Sequence, residues 1–474
     1  MLSPDRALPA DPATRRLARE IFAATETLPL VCMHGHVDAS VLADDVPFGD
    51  PAQLFITPDH YVTRLIHAAG VPLPALGVGP LPAPGAGGPA AAPGGGPSPD
   101  PREIWRTFCA HWKLFRGTPS RFWLLHELVE VFGVEPAFDR PDELYDALSA
   151  QLARPEFRPR ALFERFGIEI LATTDSPLDD LAAHARLAKD GFEGRIVPTF
   201  RPDALVHVDR PGWASDIAAL GALTGIDTSS FKGYLAALAQ RRRDFVAAGA
   251  LATDHGHLSA STAPMADPGR VFAAALSGTV TAPEAAAFAA HMLFEMARMS
   301  CEDGLVMQLH AGVLRNHDAA MFATYGPDKG FDIPVPVDFT HGLRPVLEAF
   351  GRDPRFRMVA FTVDETTFSR ELAPLAGVYP ALRLGAPWWF LDSPHAMRRF
   401  REAVTETAGL YNTAGFVDDT RAFASIPARH DLARRIDAGY LAGLVAEHLL
   451  DLDEAIETAV DLAYEIPRDF YARR

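Results

Sequence analysis

The length, composition and charge of this 474-residue chain exclude several classes of protein. Apolar residues make up 48% and charged residues 22%, as in ordinary globular proteins, and no apolar stretch reaches the roughly 18 residues that a membrane span needs. The formal net charge of −17 repels nucleic acid and anionic lipid surfaces, so we expect neither as a partner. Three scattered cysteines form no disulfide framework, and the N-terminus lacks the pattern of a secretory signal, which favours a cytoplasmic location.

The first apolar run, at residues 31–33, ends in two histidines that are separated by one residue. Side chains alternate between the faces of a strand, so His34 and His36 should point to the same side. Neutral imidazole is the commonest protein ligand of a catalytic divalent metal. The position at the end of a strand favours a metal site over a chance pair of exposed histidines. Residues 1–72 would thus supply an N-terminal segment, the first strand and an active-site loop.

Two unusual segments follow the first strand. Residues 73–101 are almost entirely Pro, Gly, Ala and Leu, a composition that predicts a flexible loop without helix or strand. Residues 102–160 carry Trp, Phe and Leu at helical spacing, which predicts an inserted helical unit.

The remainder, residues 161–474, alternates short apolar runs with stretches that are long enough for a crossover helix. Eight runs along the chain have the length of a strand: 31–33, 168–172, 195–200, 249–253, 305–309, 357–361, 381–385 and 414–417. This alternation predicts an α/β protein, a distorted (β/α)8 barrel of the TIM type with the helical unit inserted after strand 1. A doubly wound open sheet has less support, because no Gly-x-Gly-x-x-Gly follows any run.

Polar groups follow nearly every run, as expected where the carboxyl ends of barrel strands form an active site. The first and last strands of such a barrel are neighbours, so Asp419 would join His34 and His36 in a site for a catalytic divalent metal. The adjacent Asp418 should face the opposite way, whereas Arg421 should share the side of Asp419. Arg421 could grip a substrate carboxylate or form a structural salt bridge.

Several stretches together resemble the uronate isomerases of the amidohydrolase superfamily over almost the full chain. They are His34-Gly35-His36, Asp59-His60-Tyr61, Thr173-Thr174-Asp175-Ser176-Pro177, Phe200-Arg201-Pro202-Asp203, Thr253-Asp254-His255-Gly256, Gln308-Leu309-His310-Ala311-Gly312, Leu314-Arg315-Asn316, Trp388-Trp389-Phe390 and Asp419-Thr420-Arg421. The resemblance implies an aldose-ketose isomerase that interconverts D-glucuronate with D-fructuronate and D-galacturonate with D-tagaturonate. It implies proton transfer between C2 and C1 through an enediolate.

The resemblance also implies a role for each matching residue. It assigns one divalent metal, most commonly zinc, to His34, His36 and Asp419. It assigns catalysis to Asp419, Tyr61, His60 and Arg421, with Asp419 as one candidate for the base and Tyr61 or His60 as a proton donor to the carbonyl oxygen. Substrate binding falls to Arg201, Arg421, His60, Tyr61, His310 and Trp388.

A mononuclear metal-dependent hydrolase of the same superfamily is the alternative. A hydrolase with two bridged metals would usually need a lysine after the fourth strand, where Thr253, Asp254 and His255 stand instead. The expected partner is a small hexuronate, and the sequence leaves a homo-oligomer open.

Overall fold

The computed structural model describes residues 2–81 and 99–472. Its strands are β1 (Leu30–Cys32), β2 (Ile168–Ala172), β3 (Arg195–Val197), β4 (Ala252–His257), β5 (Val306–Ala311), β6 (Val313–Leu314), β7 (Ile333–Pro334), β8 (Met358–Thr362) and β9 (Leu382–Leu384). Two sheets are parallel, with the orders β1-β2-β3 and β4-β5-β8-β9, and β6 pairs antiparallel with β7. Seven of the eight predicted runs therefore form parallel strands in the expected order.

Helices separate most of these strands. They are α1 (Pro12–Ala23), α2 (Ala39–Asp44), α3 (Pro51–Phe55), α4 (His60–Ala68), α5 (Pro101–Ala110), α6 (Pro119–His126), α7 (Pro141–Leu152), α8 (Pro159–Arg165), α9 (Ala182–Lys189), α10 (Asp203–Val206), α11 (Trp213–Thr224), α12 (Phe231–Ala247), α13 (Pro268–Leu276), α14 (Ala282–Asp303), α15 (Ala319–Tyr325), α16 (Phe339–Gly342), α17 (Arg344–Phe350), α18 (Ala373–Val378), α19 (Pro394–Ala408), α20 (Ile426–Ala446), α21 (Leu452–Val460) and α22 (Ile466–Tyr471). None of the described helices is long and apolar enough to cross a membrane.

Many of these helices begin at an Asp-Pro pair. The side chains of Asp11, Asp50, Asp100 and Asp267 each accept a backbone N–H of the first helical turn, and proline follows each of them. The carboxylate satisfies an N–H that the helix leaves unpaired, and proline has no N–H to lose at this position. The local sequence thus determines where these helices start.

The two parallel sheets are linked through residues beyond their strands. After β3, Phe200 forms parallel bridges to Asp175 and to Thr253 of β4. On the other side, Thr413 forms a bridge to Leu384 of β9. The segment 413–420 then reaches β1, because the Asp419 N–H donates to the His34 carbonyl at 3.2 Å. The site residues at the two ends of the sequence are brought together in this way.

The eighth predicted strand, at 414–417, is wrong. Gly415 within it has a φ of 81°, in the left-handed region, and such a residue interrupts an extended chain. A side chain at this position would also lie 2.8 Å from the Pro467 ring, so the glycine is required by packing as well. Isolated backbone hydrogen bonds, rather than a strand ladder, hold the segment 413–420 between β9 and β1.

Three strands differ from the prediction by two residues or more at one end or both. Strand β3 ends at Val197 because Pro198 has no N–H for a ladder. Strand β4 begins at Ala252 and continues to His257, and β5 continues to Ala311, because their pairing persists up to the partners His257 and Ala311. Polar residues that the sequence placed in loops therefore lie on strands.

Helices α5 to α7 occupy the region predicted as an inserted helical unit, and their core includes the buried Trp105 and Phe108. Within the predicted flexible loop, Leu73–Leu76 form a short 3-10 helix in which both leucines are buried. This end of the loop is therefore packed, and residues 82–98 lie outside the described residues. The domain boundaries at 72, 101 and 160 stay a prediction.

Candidate active site

One cavity of about 530 Å³ lies at the carboxyl ends of the parallel strands. All nine residues that the sequence singled out as site residues line it: His34, His36, His60, Tyr61, Arg201, His310, Trp388, Asp419 and Arg421. Five arginines and four aspartates lie among its walls, so the cavity is far less negative than the whole chain.

The candidate metal centre is the group His34, His36 and Asp419. The Nε2 atoms of both histidines lie 3.1 Å from Oδ1 of Asp419, an oxygen that is buried and has no partner with hydrogen-bond geometry in the described chain. Ligands at about 2.0–2.1 Å in a tetrahedral arrangement lie about 3.3 Å apart, so each histidine nitrogen stands at a ligand-to-ligand distance from this oxygen. All three ligand atoms lie within 4.8 Å of one another. Burial opposes ionisation of Asp419, but the two histidines bring its pKa well below the ordinary value. These residues fit a divalent metal.

Asp418 points away from this centre, as the alternation predicted. Its Oδ2 lies 3.4 Å from Nε2 of His430, which in turn lies 3.5 Å from the thiol of Cys32. All three side chains are buried. Only Asp419 of the adjacent pair faces the cavity, so the chain offers a single carboxylate from this segment to a metal.

His310 is held in place on the cavity wall by a buried carboxylate. Its Nδ1 lies 2.7 Å from Oδ1 of Asp254, and its ring stacks on His34 at 4.4 Å and on Phe361 at 4.1 Å. Trp388 meets the same ring edge-on at 4.6 Å. Asp254 belongs to one of the stretches that carry the family resemblance, but the resemblance predicts no role for it. Asp254 is fully buried on β4. The prediction ended this strand at residue 253, so it could not indicate which way the Asp254 side chain points.

Arg201 lies between two aspartates. Its Nη1 is 3.1 Å from Asp254, and its Nε donates to Asp203 at 2.9 Å. Burial alone would lower the pKa of Arg201, but these carboxylates raise it above the ordinary value, so the guanidinium is charged. The two ion pairs fix its direction towards the cavity.

His60 and Tyr61 form the first turn of α4. Asp59 caps this helix and accepts the Tyr61 N–H at 2.8 Å. Burial, helped by the charge of Arg421, lowers the pKa of His60 to about 3, so its imidazole is neutral at physiological pH. Burial also raises the pKa of the Tyr61 phenol, which therefore keeps its proton.

Three charged residues at the cavity mouth form a cluster that the sequence did not predict. Arg421 lies 3.0 Å from Asp328, and Arg315 lies 3.8 Å from the same carboxylate. The Arg421 and Asp328 side chains are 38% and 42% exposed, so both remain accessible. Arg315 lies in the stretch Leu314-Arg315-Asn316 that contributes to the family resemblance. Nothing in the local sequence distinguishes Asp328 from other loop aspartates.

Arg429 was also missed. It lies on α20, where the periodic pattern indicates an ordinary buried helix face, yet its guanidinium carbon stands 3.7 Å from the centre of the Trp123 ring. Its Nη1 donates to Asp392 at 2.6 Å, and both side chains are nearly fully buried. This buried pair supports the wall that carries Tyr61, whose ring centre is 5.2 Å from the guanidinium.

Backbone strain is concentrated around the cavity. Asn316, Asp328, Trp389 and Asp419 have φ values of 54°, 60°, 54° and 42°, and all four line it. A residue with a side chain rarely adopts this conformation, because it costs about 1–3 kcal/mol. It persists only where contacts with the surrounding structure stabilise it. The direction of Asp419 is thus set by tertiary contacts.

Comparison with known proteins gives the same family by sequence and by structure. The family model described as glucuronate isomerase matches residues 92–471. A uronate isomerase of Rhizorhabdus wittichii is 53% identical over 99% of this chain and 98% of its own length. One of Xanthomonas campestris is 52% identical with the same coverage.

Two solved structures share the fold. The crystal structure of a glucuronate isomerase from Caulobacter crescentus has a TM-score of 0.94 at 47% identity and covers 99% of this chain and 97% of its own. That of a uronate isomerase from Thermotoga maritima has a TM-score of 0.90 at 29% identity, and each chain is covered completely. The predicted fold class is confirmed by these neighbours. The chain belongs to the family of glucuronate isomerases, whose curated members carry the name uronate isomerase.

Proposed function

We propose that the protein interconverts aldose and ketose hexuronates, D-glucuronate with D-fructuronate and D-galacturonate with D-tagaturonate. One observation carries this proposal: the group His34, His36 and Asp419 lines the same cavity as Arg201 and Arg421. A divalent metal and guanidinium groups together suit an anionic, oxygen-rich substrate.

The reaction removes a proton from one carbon and returns it to the neighbouring carbon. Negative charge develops on the two sugar oxygens, and groups fixed in advance stabilise it best. We assign the base to Asp419, which is ionised and would carry the proton from one carbon to the other. We assign the proton donor to Tyr61, which keeps its proton and, after donating it to the carbonyl oxygen, would regain one from the hydroxyl that becomes the new carbonyl. His60, being neutral, would hold a substrate hydroxyl. A divalent metal at His34, His36 and Asp419, which we propose to be zinc, would polarise the carbonyl oxygen when bound.

The substrate carboxylate would bind at the cavity mouth. Arg421 is accessible there, and Arg315 is close to the same point. Asp328 now occupies the place beside Arg421, and a second carboxylate could replace it. Arg201 lies deeper, between Asp203 and Asp254, and is suited to a hydroxyl or to a carbonyl oxygen of the sugar. His310 and Trp388 would shape the wall against which the sugar packs.

A conversion assay tests the proposal. Zinc-loaded protein is incubated separately with glucuronate and galacturonate, and ketose formation is followed before chelation, after chelation and after zinc is restored. We expect conversion that depends on the metal. His36→Asn should abolish it, whereas His341→Asn, at an exposed histidine outside the cavity, should not. If neither acid is converted by the metal-loaded protein, the proposal is wrong.

We further propose that the protein works in the cytoplasm. Cys32, Cys109 and Cys301 are free and buried, as expected in a reducing compartment. A homo-oligomer stays a prediction.

A further inference from the structure

We propose that Asp203, His255 and His257 form a second divalent-cation site, separate from the centre at His34, His36 and Asp419. Each of the three offers one ligand atom, and these atoms all lie within 4.8 Å of one another. Two imidazoles and one carboxylate are a donor set that suits zinc and similar divalent transition metals. The two groups share no residue.

The alternation along β4 creates this group. Asp254 contacts His310 and Arg201, whereas the neighbouring His255 contacts the hydroxyl of Thr253, two positions earlier on the same strand. His257 is two positions further and shares the side of His255. Both rings are thus presented away from the first centre.

The carboxylate of Asp203 is brought to the strand by Gly256. The Gly256 N–H donates to Oδ1 at 3.1 Å and to Oδ2 at 3.0 Å, which places the carboxylate beside the residue between the two histidines. A Cβ at this position would lie 2.8 Å from Oδ2, so only glycine allows the approach. Among the described residues, Arg201 also donates to this carboxylate, and a carboxylate has about four lone-pair sites, so acceptor capacity remains for a cation.

Two buried nitrogens of the group have no partner. Nδ1 of His255 and Nε2 of His257 lack any hydrogen bond within the described residues, although their side chains are almost completely buried. Burial lowers the pKa of His255 to about 4 and that of His257 well below its ordinary value, so both rings are neutral. The Thr253 hydroxyl lies 2.9 Å from Nε2 of His255 and can accept its proton, which leaves a lone pair on Nδ1. Histidines that bind metals are commonly oriented by such a bond.

The proposed site connects to the cavity. Asp203 and Gly256 line the cavity wall, so the carboxylate of the proposed site faces the cavity. Nε of Arg201 donates to Asp203 at 2.9 Å, and a cation that holds Asp203 would therefore fix Arg201 as well. Asp203 and His257 are in this sense positioning residues for Arg201.

Metal counting tests the proposal. The protein is loaded with Zn²⁺, passed over a desalting column, and its zinc is measured by elemental analysis. We expect two zinc ions per wild-type chain, one in His257→Asn, one in His36→Asn and none in the double variant. His291→Asn is the matched control, because His291 is also buried with an unpartnered Nε2 but lies outside both groups, and it should keep two.

One zinc ion in the wild type, with none in His36→Asn, would overturn the proposal, as would a second ion that persists in His257→Asn. Crystals of the wild-type protein give a readout that needs no variant. Anomalous scattering at the zinc edge should show two peaks, and a water molecule between His255 and His257 in place of the second peak would contradict the site.

A kinetic readout tests the connection to Arg201. It rests on the proposed function, whereas the zinc count does not, so failure of one is distinguishable from failure of the other. His257→Asn should raise KM for the uronate while kcat is retained. An unchanged KM would show that the cation does not position Arg201.

Discussion

The charged residues of the cavity differ in how firmly their present partners hold them. Arg201 and His310 are each fixed by a buried aspartate, whereas Arg421 and Asp328 form an ion pair that is about two-fifths exposed. An exposed pair contributes about 1 kcal/mol or less, so a substrate carboxylate can displace Asp328 at little cost. The accessible arginine at the mouth is therefore the one that can exchange partners.

Asp328→Asn should tighten substrate binding. Removing the competing carboxylate frees Arg421, and KM for the uronate should fall by up to about fivefold, which corresponds to about 1 kcal/mol. Steady-state kinetics measure the change. Glu365→Gln, which breaks the exposed pair with Arg399 outside the cavity, should leave KM unaltered. A rise in KM would mean that Asp328 orients Arg421 instead.

His60→Gln should change the rate but not its pH dependence. With a pKa of about 3, His60 is neutral above that pH, because burial and Arg421 disfavour the cation. Glutamine keeps a neutral hydrogen-bonding group, so we expect kcat to fall by about tenfold or less. The kcat profiles of the two proteins between about pH 5 and 8 should have the same shape. A limb between about pH 5 and 8 that is present in the wild type and disappears in the variant would show that His60 titrates in this range and would contradict the prediction.

At the scale of elements, buried charge joins a helix to the cavity wall. Arg429 projects from α20 and contacts Trp123 of α6 and Asp392, which precedes α19. Taking charges out of water is costly, and removing one partner leaves the other uncompensated. The packing of α20 against α6 and α19 therefore depends on this residue.

Arg429→Ala should destabilise the fold by about 3–5 kcal/mol, because Asp392 would be left buried without its cation. Chemical unfolding followed by circular dichroism measures the loss. Arg399→Ala, which removes a guanidinium from an exposed pair on α19, should cost about 1 kcal/mol or less. Equal losses in the two variants would contradict the role of the buried pair.

At the scale of the whole molecule, the candidate metal centre brings together residues from the two ends of the sequence. His34 and His36 follow β1, whereas Asp419 lies in the segment that replaces the eighth strand. Only a few backbone bonds connect that segment to its neighbours. A cation held by all three side chains would add a strong link at a junction that has no strand ladder.

Metal removal should therefore lower the thermal unfolding midpoint. A ligand present at 1,000 times its Kd stabilises the folded state by about 4 kcal/mol, and chelation removes this contribution. Differential scanning calorimetry with and without chelator measures it. The midpoint should recover when zinc is restored, and His36→Asn should respond less than the wild type. Identical midpoints in loaded and stripped wild-type protein would contradict this view of the junction.

Much of this organisation could be predicted from local patterns. Apolar runs located all seven parallel strands of the described residues. Asp418 and Asp419 point to opposite sides as predicted, but the left-handed backbone at Asp419, and not strand alternation, is the reason. The predicted strands were wrong at Pro198, which has no N–H for a ladder, and at Gly415, whose backbone is left-handed. The polar ends of β4 and β5 were also misjudged, since strand pairing and not polarity decides where a ladder stops.

The sequence by itself predicted the histidine pair, the final aspartate and the arginines as site residues, because the motifs that carry the family resemblance are local properties of a chain. The tertiary structure decided which side chains meet: Asp254 with His310, Asp328 with Arg421, Asp392 with Arg429, and Asp203 with the two histidines of β4. These partners are far apart or on different elements, and their contact depends on how helices and strands pack. No local pattern in the sequence specifies how close such residues come in the folded chain.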